Sequence, residues 1–107
     1  MDRLETLLEF HREDPKDAFT RFALASEYLK RERLDEALET FESLLGDRPD
    51  YVGTYYHLAA LYRRLDRPDE ARKTYESGIA EAVLQGDHHA ESELRSALME
   101  LELGLED

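Results

Sequence analysis

Adjacent histidines and a nearby carboxylate are the residues best suited to metal binding or acid–base chemistry in this chain. His88 and His89 follow each other, and Glu93 lies four residues after His89. Neighbouring residues on a helix point about 100° apart, so the two imidazoles do not converge on one ion. His89 and Glu93 could converge, but they supply only two ligands. We therefore predict surface histidines, no metal and no cofactor; His11 and His57 stand singly.

Nucleophilic and phosphate-binding chemistry has no motif in this sequence. There is no cysteine and no glycine-rich loop, and the serines lie outside any nucleophile motif. These serines are Ser26, Ser43, Ser77, Ser92 and Ser96. The many carboxylates, with Glu–Arg pairs four residues apart such as Glu27–Arg31, are typical of solvated helix faces. The sequence predicts a protein that is not an enzyme and has no catalytic residue.

Length and charge argue against several further classes of protein. The 107 residues fit one domain, and 26 acidic against 14 basic residues give a net charge of −12, which opposes binding to nucleic acid or to an anionic membrane. Purely apolar runs are too short for a membrane helix, and the first residues show no signal pattern, so a cytoplasmic protein is expected. The acidity has two explanations that stay open: a salt-rich cytoplasm or a functional surface.

A repeat of 34 residues organises the elements that must position these side chains. Residues 18–51 and 52–85 share 11 of 34 residue types when aligned without gaps, where ordinary composition gives about two. The identical pairs are Thr20/Thr54, Leu24/Leu58, Ala25/Ala59, Tyr28/Tyr62, Arg33/Arg67, Asp35/Asp69, Glu36/Glu70, Ala37/Ala71, Thr40/Thr74, Glu42/Glu76 and Ser43/Ser77. Apolar residues at helical spacing predict two helices in each unit.

The flanking segments complete the predicted stack of helices. Residues 2–13 match the second helix of a unit, so they predict a leading half-repeat. Residues 87–103 depart from the repeat register, and a shift by one residue turns four apolar residues inward: Ala90, Leu94, Ala97 and Leu101. This segment is predicted to be a capping helix that begins at the N-cap Asp87. Gly46 and Pro49 are expected to end the second helix of the first unit.

The spacing of small and aromatic residues carries a family motif. The second unit reads Tyr55-x2-Leu58-Ala59-x2-Tyr62 and then Ala71-x3-Tyr75, and the first reads Arg21-x2-Leu24-Ala25-x2-Tyr28 and then Ala37-x3-Phe41. With its 34-residue period, this pattern resembles the tetratricopeptide repeat family over residues 2 to about 85. It departs from the family pattern at Arg21, where an aromatic residue is usual, at Gly78, usually Ala, and at Val83, usually Pro.

The resemblance implies a fold and a function. The fold is an all-α, right-handed solenoid of antiparallel helix pairs in a single domain, with alanines where helices cross and aromatic rings between them. The function is a non-catalytic protein–protein interaction module that binds a peptide or partner protein in a concave groove. The alternative is a homo-oligomeric structural protein, such as a homodimer, whose own interface is that groove.

The resemblance also places the groove residues. The first unit contributes an aromatic face that ends in a cation, and the second contributes an aromatic, a histidine and two arginines. These positions are Phe19, Phe22, Ser26, Lys30, Tyr56, His57, Arg63 and Arg64. The lysines and asparagine that clamp a peptide carboxylate in one branch of the family are absent from the matching positions. The remaining surface suits a partner with an apolar anchor and an acidic flank.

Overall fold

The computed structural model describes residues 2–104, and that part of the chain consists of six α-helices without a strand. The helices are α1 (Arg3–Glu13), α2 (Ala18–Lys30), α3 (Leu34–Asp47), α4 (Gly53–Arg64), α5 (Pro68–Gln85) and α6 (His88–Glu102). The predicted all-α class is confirmed. None of these helices combines the length and apolar character needed to cross a membrane.

The helices fall into two compact units, and the chain passes from one to the other between Tyr51 and Val52. In the first unit, α2 packs against both α1 and α3. In the second unit, α5 packs against α4 and α6, and α4 also contacts α6. Turns of three residues join α2 to α3 and α4 to α5, so each of these helix pairs folds back on itself.

The helix ends follow from a few side chains. Asp2, Asp17 and Asp87 are N-caps, and each carboxylate accepts a hydrogen bond of 2.9–3.0 Å from the backbone N–H three residues later. This satisfies a donor that has no partner inside the helix, and it confirms the expected cap at Asp87. Gly86 ends α5 with a left-handed φ of 70°. The helix expected to end at Gly46 and Pro49 ends between them, at Asp47; Gly46 itself stays helical, at a cost of about 1 kcal/mol.

In each unit, a tyrosine, an arginine and a glutamate at equivalent positions stabilise the turn between the paired helices. The Arg33 guanidinium lies 5.1 Å from the centre of the Tyr28 ring and donates two hydrogen bonds, of 2.7 and 2.6 Å, to the Glu36 carboxylate. In the second unit the cluster is Tyr62, Arg67 and Glu70, with a distance of 4.9 Å to the ring and two bonds of 2.6 Å. We call these the tyrosine–arginine–glutamate clusters. They combine cation–π attraction with a bidentate ion pair.

The core confirms the expected crossing alanines. Ala25, Ala37, Ala59 and Ala71 have no exposed surface. The small side chains let paired helices approach, and aromatic rings fill the space beside them: Phe41 and Tyr75 are fully buried, Tyr62 is buried and Tyr28 is half-buried.

Gly78 marks the tightest approach among the helices of the second unit. A Cβ atom at this position would lie 2.6 Å from the Tyr55 Cβ and 3.1 Å from the Leu94 Cδ1. The closer of the two contacts is with α4, and the repeat pattern marks this position only as a departure from the usual Ala. A side chain at position 78 would therefore push α4 and α6 away from α5.

The first unit holds two charged side chains in its interior. The buried Arg21 guanidinium donates a 2.8 Å hydrogen bond to the Ser43 hydroxyl and lies 3.0 Å from an Asp47 carboxylate oxygen. The Glu27 carboxylate is also buried, not solvated as expected. Its oxygens lie 2.9 Å from the Arg31 Nε and 3.2 Å from the Arg3 Nε. Both charges are paired, as burial requires.

Candidate functional site

The predicted groove residues of the first unit share one face of α2. Phe19, Phe22, Ser26 and Lys30 are three or four residues apart, the spacing of neighbours on a helix surface. Phe19 is 70% exposed, and Lys30 is exposed at the end of α2. Phe22 and Ser26 are half-buried. The Phe22 ring centre lies 5.9 Å from those of Phe41 and of Tyr51, so this ring packs within its own unit.

The predicted residues of the second unit lie on α4 in two groups. Tyr56 is 40% exposed, and its ring centre lies 5.5 Å from that of the neighbouring His57 and 6.5 Å from that of Tyr75. Arg63 and Arg64 end the helix, about two turns further along. The structure therefore brings Tyr56 and His57 together and places the two arginines apart from them.

Two cavities that share Tyr56 as a lining residue lie between α4 and α6. The first, of about 280 Å³, is lined by Tyr56, His89, Ser92, Glu93, Ser96, Ala97 and Glu100. The second, of about 230 Å³, is lined by Val52, Gly53, Tyr56, His57, Ala90, Glu93 and Leu94. Tyr56 and Glu93 line both. We call these two cavities together the Tyr56 cleft.

Carboxylates and imidazoles set the electrostatics of the Tyr56 cleft. The Glu93 carboxylate lies 3.3 Å from the His89 Nε2. Partial burial lowers the pKa of His57, and the negative charge of Glu93 opposes that shift. Besides the imidazoles, the charged side chains that line the cleft are the carboxylates of Glu93 and Glu100.

The sequence analysis missed the contribution of α6 to this site. Because α6 departs from the 34-residue register, the groove positions of the repeat could not be carried onto it. A signal was available: once Ala90, Leu94 and Ala97 are turned inward, Glu93 and Glu100 flank that face on one side. Leu94 and Ala97 are indeed buried, and Ala90 is half-buried.

The histidines do not assemble a metal site within residues 2–104. No group of three or more histidine and acidic side chains that could hold an ion occurs in this range. His88 and His89 are exposed, which confirms the prediction of surface histidines for this pair. His11 is half-buried, and its Nδ1 has no hydrogen-bond partner in the described structure.

A third cavity, of about 390 Å³, lies in the first unit among α1, α2 and α3. His11, Lys16 and Arg21 line it together with Glu39 and Asp47. Arg21 already pairs with Asp47, and the remaining cation and carboxylate balance each other. This cavity therefore presents no net charge that would select a ligand.

Comparisons with known proteins agree with the helical arrangement. The family model described as tetratricopeptide repeat matches residues 28–90. The chain is 53% identical to a tetratricopeptide repeat domain protein from Salinibacter ruber solved by NMR, with 87% of this chain and 93% of that chain covered and a TM-score of 0.81. A crystal structure of a tetratricopeptide repeat domain protein from Salinibacter ruber gives 51% identity, 80% and 97% coverage and a TM-score of 0.78.

A more distant solved structure has the same fold. A protein from Bordetella parapertussis is 26% identical, with 97% of this chain and 90% of that chain covered and a TM-score of 0.83. No curated protein matches the chain.

Proposed function

We propose that this chain, which belongs to the tetratricopeptide repeat family, is a non-catalytic module that binds a peptide or a partner protein through its first-helix faces. Tetratricopeptide repeat domains generally mediate protein–protein interaction. The faces in question are those of α2 and α4, which carry the eight groove residues predicted from the sequence.

One observation carries this proposal. Tyr56 is 40% exposed and lines two cavities. Large aromatic side chains that stay exposed beside a cavity are typical of anchor points for a partner. On α2, Phe19 is 70% exposed and offers a second aromatic contact.

Affinity capture from native extract tests the proposal, with the full chain as bait. We expect proteins captured by the wild-type chain to be lost with Tyr56→Ala and reduced with Phe19→Ala. Leu84→Ala is the matched control, because Leu84 is 80% exposed on α5 and lies outside the proposed face. Equal capture by Tyr56→Ala and by the wild type would contradict the proposal.

Sedimentation of the pure protein distinguishes binding to a second copy of this chain from binding to a different protein. If the chain self-associates and Tyr56→Ala makes it monomeric, the partner on this face is a second copy. If the chain is a monomer, the partner is a different protein.

A further inference from the structure

We infer that the Tyr56 cleft binds an arginine side chain of the partner, held between the Tyr56 ring and the carboxylates of Glu93 and Glu100. This inference rests on the proposed function and names the chemistry that the partner must bring. The occupant is a segment of another protein that presents an arginine toward α4 and α6.

Charge complementarity favours a cation in this cleft. Glu93 and Glu100 line the larger cavity together with Tyr56, Ser92 and Ser96. Both glutamates are exposed, so an incoming side chain can reach their carboxylates from solvent. A carboxylate or phosphate would meet like charges here, which is unfavourable at an interface. The space of about 280 Å³ has room for a group larger than one water molecule.

The molecule itself contains this recognition mode twice. In both tyrosine–arginine–glutamate clusters, a guanidinium lies about 5 Å from a tyrosine ring centre and donates two hydrogen bonds along one edge to a glutamate carboxylate. The Tyr56 cleft supplies the ring and the carboxylates of the same combination. A partner arginine would supply the third component.

Geometry distinguishes arginine from lysine at this site. The guanidinium is a planar fork with five N–H donors, so it can stack on a ring and bond carboxylates in the same plane. The lysine ammonium is a compact, strongly hydrated point charge that does neither as well. The cations Arg63 and Arg64, which suggested an acidic partner, lie about two turns away along α4.

Selection from a phage-displayed library of random dodecapeptides tests the inference on the immobilised full chain. Clones that bind the wild type but not Tyr56→Ala are sequenced, and we expect them to be enriched in arginine. In a synthetic copy of such a clone, citrulline in place of that arginine should weaken binding about tenfold or more, and lysine about fivefold.

Charge-matched variants of the protein locate the effect. The double variant Glu93→Gln/Glu100→Gln should weaken binding of the selected peptide about tenfold, as replacing its arginine by citrulline does. Glu9→Gln/Glu76→Gln removes the same charge from exposed positions on α1 and α5 and should change binding less than about twofold, since distant surface charges are screened. Thermal melts of all variants establish that they are folded.

The outcomes separate this inference from the proposed function. Clones that depend on Tyr56 but show no arginine enrichment overturn the inference and leave the proposed function standing. Equal weakening by both double variants also overturns it, because the peptide then responds to bulk charge. A library that yields no clone dependent on Tyr56 overturns both.

Discussion

Arg21 in the first unit and Tyr55 in the second stand 34 residues apart and are equally buried, at 5% and 4% exposure. Arg21 is held by a hydroxyl and a carboxylate of α3, whereas Tyr55 packs on the bare backbone of Gly78. Glu27 and Leu61 are a second such pair, one an ion-paired carboxylate and the other an aliphatic core residue.

The difference shows that one helix-pair pattern tolerates two kinds of interior. The repeat fixes the alanines where helices cross, which are fully buried in both units, as are the equivalent rings of Phe41 and Tyr75. At two other inward positions the partners differ: Arg21 and Glu27 make polar contacts in the first unit, whereas Tyr55 and Leu61 are apolar core residues in the second. The second unit should therefore be the more sensitive to added volume, and the first to lost polar partners.

The largest expected effect is at the glycine that Tyr55 packs against. Gly78→Ala should lower the free energy of unfolding by about 2–3 kcal/mol, because its Cβ would lie 2.6 Å from the Tyr55 Cβ. Gly46→Ala is the control: it lies inside α3 with no atom within 4 Å of an added Cβ, and should gain about 0.5–1 kcal/mol of helix propensity. Urea unfolding measures both, and equal values would show that the close approach at Gly78 does not exist.

The equivalent aromatic residues Phe22 and Tyr56 should respond differently to truncation. Phe22→Ala should cost about 2 kcal/mol, because its half-buried ring packs on Phe41 and Tyr51. Tyr56→Ala should cost no more than about 1 kcal/mol, since this ring is 40% exposed. Thermal melts compare the two, and a larger loss for Tyr56→Ala would assign that ring to the core and remove it from the binding surface.

The paired threonines sharpen the comparison with effects of opposite sign. The Thr20 hydroxyl donates a 2.6 Å hydrogen bond to the Asp17 carboxylate, and this contact is the main cause of the lowered pKa of Asp17. The Thr54 hydroxyl is fully buried and has no hydrogen-bond partner among residues 2–104. Thr20→Val should cost about 1 kcal/mol, and Thr54→Val should stabilise by about 1 kcal/mol. Chemical denaturation of both variants checks the signs; destabilisation by Thr54→Val would mean that its hydroxyl is bonded in solution.

The smallest expected effect concerns pH. The pKa of His57 is lowered by burial despite the nearby Glu93, so the unfolded chain takes up this proton at higher pH than the folded chain. Stability should fall as the pH drops below the ordinary histidine value of about 6.5. His57→Gln should make the decline of melting temperature between pH 7 and 5 shallower. His88 is exposed on α6, so His88→Gln should leave the decline unchanged. An equal change in both variants would show that the burial of His57 is not the cause of the pH dependence.

Sequence reasoning reached the helices because their causes are local and repeated. The 34-residue period, the crossing alanines and the capping aspartate at position 87 all follow from spacing and residue type. The tyrosine–arginine–glutamate clusters were present in the list of identical pairs, but nothing in the periodicity indicates that a guanidinium lies over a ring.

The candidate site was only half accessible to the same reasoning. Tyr56 and His57 followed from their positions in the repeat. Glu93 and Glu100 did not, because α6 is out of register and its orientation depends on how Leu94 packs beside Gly78. The burial of Arg21 and Glu27 was missed for a similar reason: their partners on other helices are set by tertiary packing.

The central claim is that a partner binds at the α4 face beside Tyr56. Amide hydrogen exchange of the full chain, alone and with a protein recovered by the affinity capture, tests this most directly. The account predicts added protection in α4 and α6 around Tyr56 and Glu93, with the exposed Val83 and Leu84 at the end of α5 unchanged. Protection confined to the end of α5, with none at α4 or α6, would contradict it.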